Sequence, residues 1–448
     1  MLTEVKELYK IFKKSSGVST DTRTIKKNNI FFCLGGDNFD GNDFALEALE
    51  KGAQYCVVDN PSLITKSKKF LLVNDTLKSL QDLASEHRDS LKIPIIGITG
   101  SNGKTTTKNL IEIALGIKFK VYATKGNLNN HIGVPLSILD ISDKYEIGVI
   151  EMGASSVGEI ETLCKIAKPT CGLITNISNA HIKGFGSFEG VVRGKSELYD
   201  YLNKNGGKIF LNTNDDTIKN FSKRFKSAIH VEGKNSNIQV EVMTSPEGEK
   251  MYEPKILFKV RDEKNEVNES RVSKLFGRYN YENIIMAISV AKFFGISESE
   301  SSKGICSSDL HSNNRSEVIS INKSTIVLDA YNANPVSMKN AIDSVMNFSD
   351  NDKLLILGDM NELGDISSEE HTKIGLFTSK LNLRDCFLVG EKMLAAHDVN
   401  KESRWYKDYD EMEKALSEME FLGVDVLVKG SRGLRLERVV NLLKRILS

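Results

Sequence analysis

The segment IPIIGITGSNGKTTT, from Ile93 to Thr107, constrains this chain more than any other. Its first half is a short apolar run rich in β-branched residues, which predicts a strand buried on both faces. Gly100 and Gly103 then open a turn, and TKNLIEIALGI follows with apolar residues at helical spacing. Strand, glycine turn and helix in that order aim backbone N–H groups and the positive end of a helix at an anion. In such a loop Gly100, Ser101, Asn102, Gly103 and Thr106 would cradle nucleotide phosphates. Lys104 would supply a cation, and Thr105 would offer its hydroxyl to Mg²⁺. The usual consensus begins with a glycine where this chain has Ile98, so the loop is a tighter variant. An ordinary glycine turn is the competing reading, and the coincidence of strand, paired glycines, Lys-Thr and helix weighs against it.

Strand and helix alternate along most of the chain, which predicts an α/β protein. At 448 residues it exceeds what one core usually holds and should divide into about three domains. Residues 1–91 hold the β-type runs NIFFCL, AQYCVVD and FLLV around a helical ALEALEKGA, a small α/β domain. Residues 92–312 carry the phosphate loop and further strands at EIGVIEM, CGLITNI and GKIFLN, which predicts a parallel sheet covered on both faces. Within them IQVEVM and KILFKV break the rhythm and read as a β-hairpin-like excursion. The polar SSDLHSNNRSE reads as a linker. Residues 313–448 then repeat strand and helix as an open Rossmann-like sheet, with ligands expected at the strands' carboxyl ends.

Basic and acidic residues balance at 60 each, so no overall field draws the protein to nucleic acid, and any phosphate site must be local. No apolar run approaches the roughly 20 residues of a membrane-spanning helix. The opening MLTEVKELYKIFKK reads as an amphipathic helix rather than a signal peptide, and the six cysteines are scattered. A cytoplasmic protein with reduced thiols, without nucleic-acid partner or membrane insertion, is the expectation.

Three further residues gain weight only together. Glu151 closes the strand EIGVIEM, where a hard oxygen would hold Mg²⁺ opposite Thr105; a surface carboxylate is the plain alternative. His181, in TNISNAHIKGFGSF, follows another strand, and a lone histidine there is more often structural. Lys195, in VVRGKSELY, reads from spacing alone as a solvated helix lysine. Yet TGSNGKTT, EMGAS, the asparagine-histidine strand end and GKSELY follow the order seen in Mur ligases, and the chain resembles that family.

The resemblance implies an ATP-dependent ligase that makes an amide from a carboxylate and an amine through an acyl phosphate. It implies a small UDP-binding domain, a central ATPase domain and a C-terminal ligase domain, working as a monomer. Lys104, Glu151, His181 and Lys195 would form the catalytic set. Thr105 and Glu151 would hold one Mg²⁺, with His181 and a carbamylated Lys195 serving a second. In GRYNYENIIMA, Asn280 and Asn283 would contact adenine, a helix N-cap being the other reading of Asn280. Arg315 would reach ATP from the last domain. LDAYNANPVSM, with Asp329, Tyr331, Asn332 and Asn334, most resembles the member that adds D-alanyl-D-alanine to a UDP-muramoyl-tripeptide, and GDMNELG and VKGSRGLRLE continue that pattern. Asp21, Thr22 and Arg23 would sit near the UDP end, although Arg23 would equally suit a surface ion pair. Asn127, Asn129 and Asn130, in GNLNNHIGVPLSIL, would approach the muramoyl-peptide. Tyr279, Asn314 and Asn42 depart from the histidine, glycine and histidine common in the family. A nucleotide-hydrolysing switch is the competing class, and the near match NKST ends in Thr where a guanine-specific switch carries Asp.

Overall fold

The computed structural model describes residues 2–36, 38–231, 238–241, 256–261, 267–273, 275–277, 279–308, 316–421 and 423–447. Apolar runs bounded by turns become strands, and the amphipathic stretches between them become the helices that cover them. The first sheet pairs Val18–Ser19, Ile30–Phe32, Tyr55–Val58 and Phe70–Leu72 in chain order, all parallel.

The central sheet has six parallel strands in the order Ile229–Val231, Lys208–Asn212, Cys171–Ile174, Ile95–Thr99, Ile147–Glu151, Val121–Ala123. Successive side chains of a strand point to opposite faces. Ile96 and Ile98 accordingly join Leu110, Ile111 and Ile284 from the helices Lys104–Gly116 and Asn280–Phe293. Ile95 and Ile150 join Leu163 and Leu198 from Glu159–Ala167 and Phe188–Lys204 on the other face. Burial on both sides is why these strands read as unbroken apolar runs.

The last sheet runs Glu317–Ile321, Ser324–Asp329, Val424–Lys429, Asp352–Gly358, Asp385–Val389, Arg404–Tyr406, with only Glu317–Ile321 antiparallel to its neighbour. Sequence patterning did not reveal its two edge strands, EVISI and RWY, whose residues are largely half-exposed and lack a full buried face. The expected hairpin excursion is instead a three-stranded antiparallel sheet of Ile238–Glu241, Ile256–Arg261 and Val267–Ser273. Its third strand, VNESRVS, is mostly polar, so it lacks the period-two signal that marks a strand. Much of the expected linker, including Arg315 and the 312/313 boundary, lies outside the described residues.

The first and central sheets share one core. Leu80, Leu83 and Ala84 of the helix Thr76–Ser90 cluster with Ile138, Leu163 and Ile166. At the end of that helix Arg88, 6% exposed, donates from Nε to the Ala167 carbonyl at 2.8 Å. It donates also to Leu91 at 3.0 Å and Lys168 at 3.1 Å. A cation here satisfies carbonyls that the helix Glu159–Ala167 leaves open at its negative end. Arg88→Ala would strip these buried acceptors of their donor, a loss of about 2 kcal/mol. A lower urea midpoint is the expected readout, and an unchanged midpoint would refute this account of the contact between the two sheets.

Candidate functional site

The phosphate loop leaves the carboxyl end of Ile95–Thr99 and is scaffolded by the turn after the neighbouring strand Cys171–Ile174. Ser101 N–H donates to the Asn176 carbonyl at 2.9 Å and Asn102 N–H to Asn176 Oδ1 at 3.0 Å. Thr175 Oγ1 donates to the Asn102 carbonyl at 2.5 Å, and Asn102 Nδ2 to Ser178 Oγ at 3.1 Å. Both glycines are required by space and by backbone. Gly100 has φ +145°, and a Cβ there would lie 1.9 Å from Thr175 Oγ1. Gly103 has φ +77°, and its Cβ would lie 2.5 Å from Asn283 Oδ1. Lys104 and Thr105 open the helix, with Thr106 in the same first turn. Lys104 Nζ donates to the loop's own carbonyls, Gly100 at 2.7 Å and Ser101 at 3.3 Å.

Asn280 and Asn283 lie buried behind the loop and bond protein groups. Asn280 Nδ2 donates to the Phe276 carbonyl at 2.7 Å, and its Oδ1 accepts from Asn283 Nδ2 at 2.8 Å. Asn283 Oδ1 accepts from Thr107 Oγ1 at 3.0 Å. The N-cap of this helix is Tyr279, so the capping alternative for Asn280 does not hold: Asn280 is already the first helical residue.

Glu151, 2% exposed, sits beside Thr105 and accepts from its Oγ1 at 2.8 Å. Its other oxygen accepts from Asn129 Nδ2 at 2.8 Å. These partners are neutral, and among the described residues no lysine or arginine pairs with this carboxylate. The surface-carboxylate alternative is therefore excluded. Lys195 is likewise not a solvated helix residue. It is 1% exposed, donates to the Ala154 carbonyl at 3.1 Å and lies 5.1 Å from the Phe185 ring centroid. Burial, and then the positive charge of Lys104, push its ammonium well below the usual lysine range.

The last sheet reaches this centre from the other side. Asn334 caps the helix Pro335–Met346 through Oδ1, which accepts from Ser337 N–H at 2.9 Å. Its Nδ2 donates to Asn102 Oδ1 of the phosphate loop at 2.6 Å. His181, at φ +56°, pairs through Nδ1 with Glu362 of the last sheet. Hydrogen bonding to His181 is the main cause holding the Glu362 carboxyl below its usual range. Asp329, at the end of its strand, pairs with buried Lys429, and Asn332 supplies that lysine a carbonyl at 3.3 Å. Tyr331 lies under the Arg432 guanidinium at 5.3 Å.

Comparison with known proteins accounts for this arrangement. The Mur ligase family, catalytic domain, matches residues 14–88, the Mur ligase middle domain residues 98–291, and the Mur ligase glutamate ligase domain residues 314–432. The UDP-N-acetylmuramoyl-tripeptide--D-alanyl-D-alanine ligase of Bacillus subtilis is 34% identical over 439 residues, covering 95% of this chain and 92% of that protein. The chain belongs to the Mur ligase family. The Escherichia coli ligase of the same name is 29% identical, covering 95% of this chain and 93% of its own. MurF from Acinetobacter baumannii superposes with a TM-score of 0.84 at 27% identity, over 96% of this chain and 93% of that one. The MurF ligase of Thermotoga maritima, solved in complex with ADP, gives 0.81 at 25% identity, over 97% and 98%.

Not every residue expected at the site of this Mur ligase is brought to it. The contacts of Asp21 and Arg23 stay within the first sheet's turn, where Arg23 Nη2 pairs with Asp21 at 2.6 Å and holds its carboxyl down at about 2. This exposed ion pair is the alternative the sequence left open, and Thr22 opens the same short turn. Asn129 reaches Glu151, Asn127 is exposed, and Asn130 accepts from the N–H groups of Ile132 and Gly133 at the start of Gly133–Leu139. Sequence reasoning assigned no role to Asn176, Ser178 and Glu362, although the motifs TNISNAH and GDMNELG contain them. Gly103→Ala would force the loop away from Asn283 and strain a left-handed backbone, weakening ATP binding by at least about tenfold. Calorimetric titration with an ATP analogue checks this, and wild-type affinity would refute it.

Proposed function

We propose that this Mur ligase works through an acyl phosphate formed where the last sheet meets the phosphate loop. The chain is an ATP-dependent ligase that joins D-alanyl-D-alanine to UDP-N-acetylmuramoyl-tripeptide in peptidoglycan precursor synthesis. The observation that carries the proposed location is the Asn334–Asn102 hydrogen bond, which sets the carboxyl ends of the last sheet against the phosphates' cradle. A carboxylate is a poor acyl donor. Its oxygen would attack the γ-phosphorus as the bond to the ADP oxygen breaks, and the dipeptide amine would then attack the carbonyl carbon and expel phosphate. Both steps crowd negative charge, which Lys104 and the N–H groups of the Gly100–Gly103 turn would offset in a site closed to water.

The donor set fits a hard cation. A buried carboxylate with only neutral partners, Glu151, stands beside the Thr105 hydroxyl, and an oxygen pair of this kind suits Mg²⁺. Bound there, Mg²⁺ would neutralise phosphate charge as the reaction proceeds. Lys195 supports a second site. A neutral, buried amine is the form that takes up CO₂, and the resulting carbamate, with His181, would give such a site an oxygen ligand. Asp329, Tyr331 and Asn332 stand at the strand ends where ribose and the dipeptide would enter, and Arg315 would serve ATP. Asn280 and Asn283 would serve adenine from beneath the loop. Asp21, Thr22, Arg23, Asn127 and Asn130 would border the UDP and muramoyl ends of the acceptor. Residues 1–91, 92–312 and 313–448 would thus bind acceptor, ATP and amine in turn.

We place the enzyme in the cytoplasm, where ATP and UDP-linked precursors are found. Among the described residues no helix is long and apolar enough to cross a membrane. We further propose that the working unit is a monomer.

Phosphate release measured with ATP and UDP-N-acetylmuramoyl-tripeptide should depend on D-alanyl-D-alanine and fail with single amino acids. Lys104→Ala should abolish it while leaving the melting curve unchanged, because its ammonium bonds the loop rather than the core. Near-normal turnover would remove Lys104 from the mechanism.

For Lys195→Ala the expected result is loss of most activity, partial recovery with short carboxylic acids and none with bicarbonate. A free carboxylate would fill the vacated space, whereas bicarbonate has no amine to modify. A fully active variant would end the carbamate reading.

A further inference from the structure

Among the described residues four arginines lie over an aromatic ring. Arg224 lies over Phe225, Arg404 over Phe387 and Arg438 over Tyr409, and each also pairs with a carboxylate, Asp200, Asp385 and Asp410 in turn. Arg432 Cζ lies 5.3 Å from the Tyr331 ring centroid, and among the described residues no carboxylate pairs with it. The base of this arginine is fixed. It follows the buried strand Val424–Lys429 and opens the short turn Arg432–Leu434. Gly430 packs so closely on the neighbouring strand end that a Cβ there would lie 3.0 Å from Gly358 Cα. Ser431, 3% exposed, donates its N–H to the Asp359 carbonyl at 3.0 Å, and its Oγ accepts from Asn361 N–H at 2.9 Å. A planar fork of donors raised from such a base, with a ring beside it, has less freedom to lose when it binds. Two neighbouring cations are already committed, Lys429 to Asp329 and Lys392 Nζ to Asn361 Oδ1.

Tyr331 stands three residues before Asn334, whose Nδ2 bonds the phosphate loop, so the arginine lies beside the segment that meets the phosphates' cradle. The amine of the incoming dipeptide must reach the acyl carbon there. Its carboxylate then lies one extended dipeptide away, roughly 7 Å. An anion brought into a closed, water-poor site needs a paired cation. We propose that Arg432 is a specificity-determining residue that takes the carboxylate of D-alanyl-D-alanine through two parallel N–H bonds, with Tyr331 holding the guanidinium in place. This inference rests on the placement of the dipeptide at the last sheet's strand ends proposed above. A single amino acid held by the same contact presents its amine roughly 3.5 Å short of the acyl carbon, so the arginine measures length as well as charge.

The test compares D-alanyl-D-alanine with D-alanyl-D-alaninamide, which has the same amine and length but no carboxylate. Wild type should use the amide at least about tenfold less well in kcat/KM, chiefly through KM. Arg432→Gln should bring the dipeptide down to the level of the amide and so abolish the discrimination. It should leave the amide's own kcat/KM, and the KM values for ATP and UDP-N-acetylmuramoyl-tripeptide, nearly unchanged. A merely structural loss would lower both substrates alike and preserve their ratio. Equal use of the two by wild type, a ratio preserved in Arg432→Gln, or a raised KM for ATP in place of the dipeptide's would overturn the proposal. Asn332→Ala separates the inference from the placement it rests on. A raised dipeptide KM in Asn332→Ala beside an unaffected Arg432→Gln would overturn the inference alone, whereas an unaffected dipeptide KM in both variants would overturn the placement with it.

Discussion

The hydrogen bonds between the turn at residues 175–178 and the phosphate loop set the position of every other group at the site. Asn176 and Thr175 hold the backbone of Ser101 and Asn102 in a shape that L side chains at Gly100 and Gly103 would forbid. Two parallel strands with in-register ends make this possible, since Ile174 pairs beside Thr99 and both chains turn at the same level. From that platform Thr105 meets Glu151, the end of a third neighbouring strand, and Asn102 meets Asn334 from the last sheet. Site geometry here is a consequence of sheet register.

The site also concentrates ionisable groups that, among the described residues, are buried without a directly paired group of opposite sign. Glu151 and Lys195 are almost fully enclosed, each with neutral hydrogen-bonding groups around it. Burial of this kind opposes folding unless something else is gained. Other buried ionisable groups are satisfied in both ways, Lys353 by Asp425 and Lys429 by Asp329, and Arg88 by carbonyls alone.

Much of this was legible before any coordinates. The strand, paired glycines and helix of residues 93–107 announce an anion cradle because each element has its own local signature. Glu151 and Lys195 were named from their places in motifs, yet spacing alone made Lys195 a surface residue. Only tertiary burial distinguishes a lysine facing Phe185 from one facing water, and a single helix turn carries no mark of that difference. The edge strands Glu317–Ile321 and Arg404–Tyr406 and the polar strand Val267–Ser273 were missed because partial exposure or polar composition erases the periodic pattern. Glu362 lay inside a quoted motif, but its partner is distant in sequence, and no rule of local spacing links them. The sequence left a surface ion pair open for Arg23, and the structure supplies its partner, Asp21, two residues away.

Asn334 divides its amide between two tasks. The oxygen caps its own helix and the nitrogen alone crosses to the phosphate loop. Withdrawal of the last sheet therefore leaves the helix terminus satisfied, and the crossing bond contributes a net free energy of only about 1 kcal/mol. A bias that small alters a population ratio roughly fivefold. That bond alone therefore does little to hold the seam, and breaking it unravels neither surface that meets there.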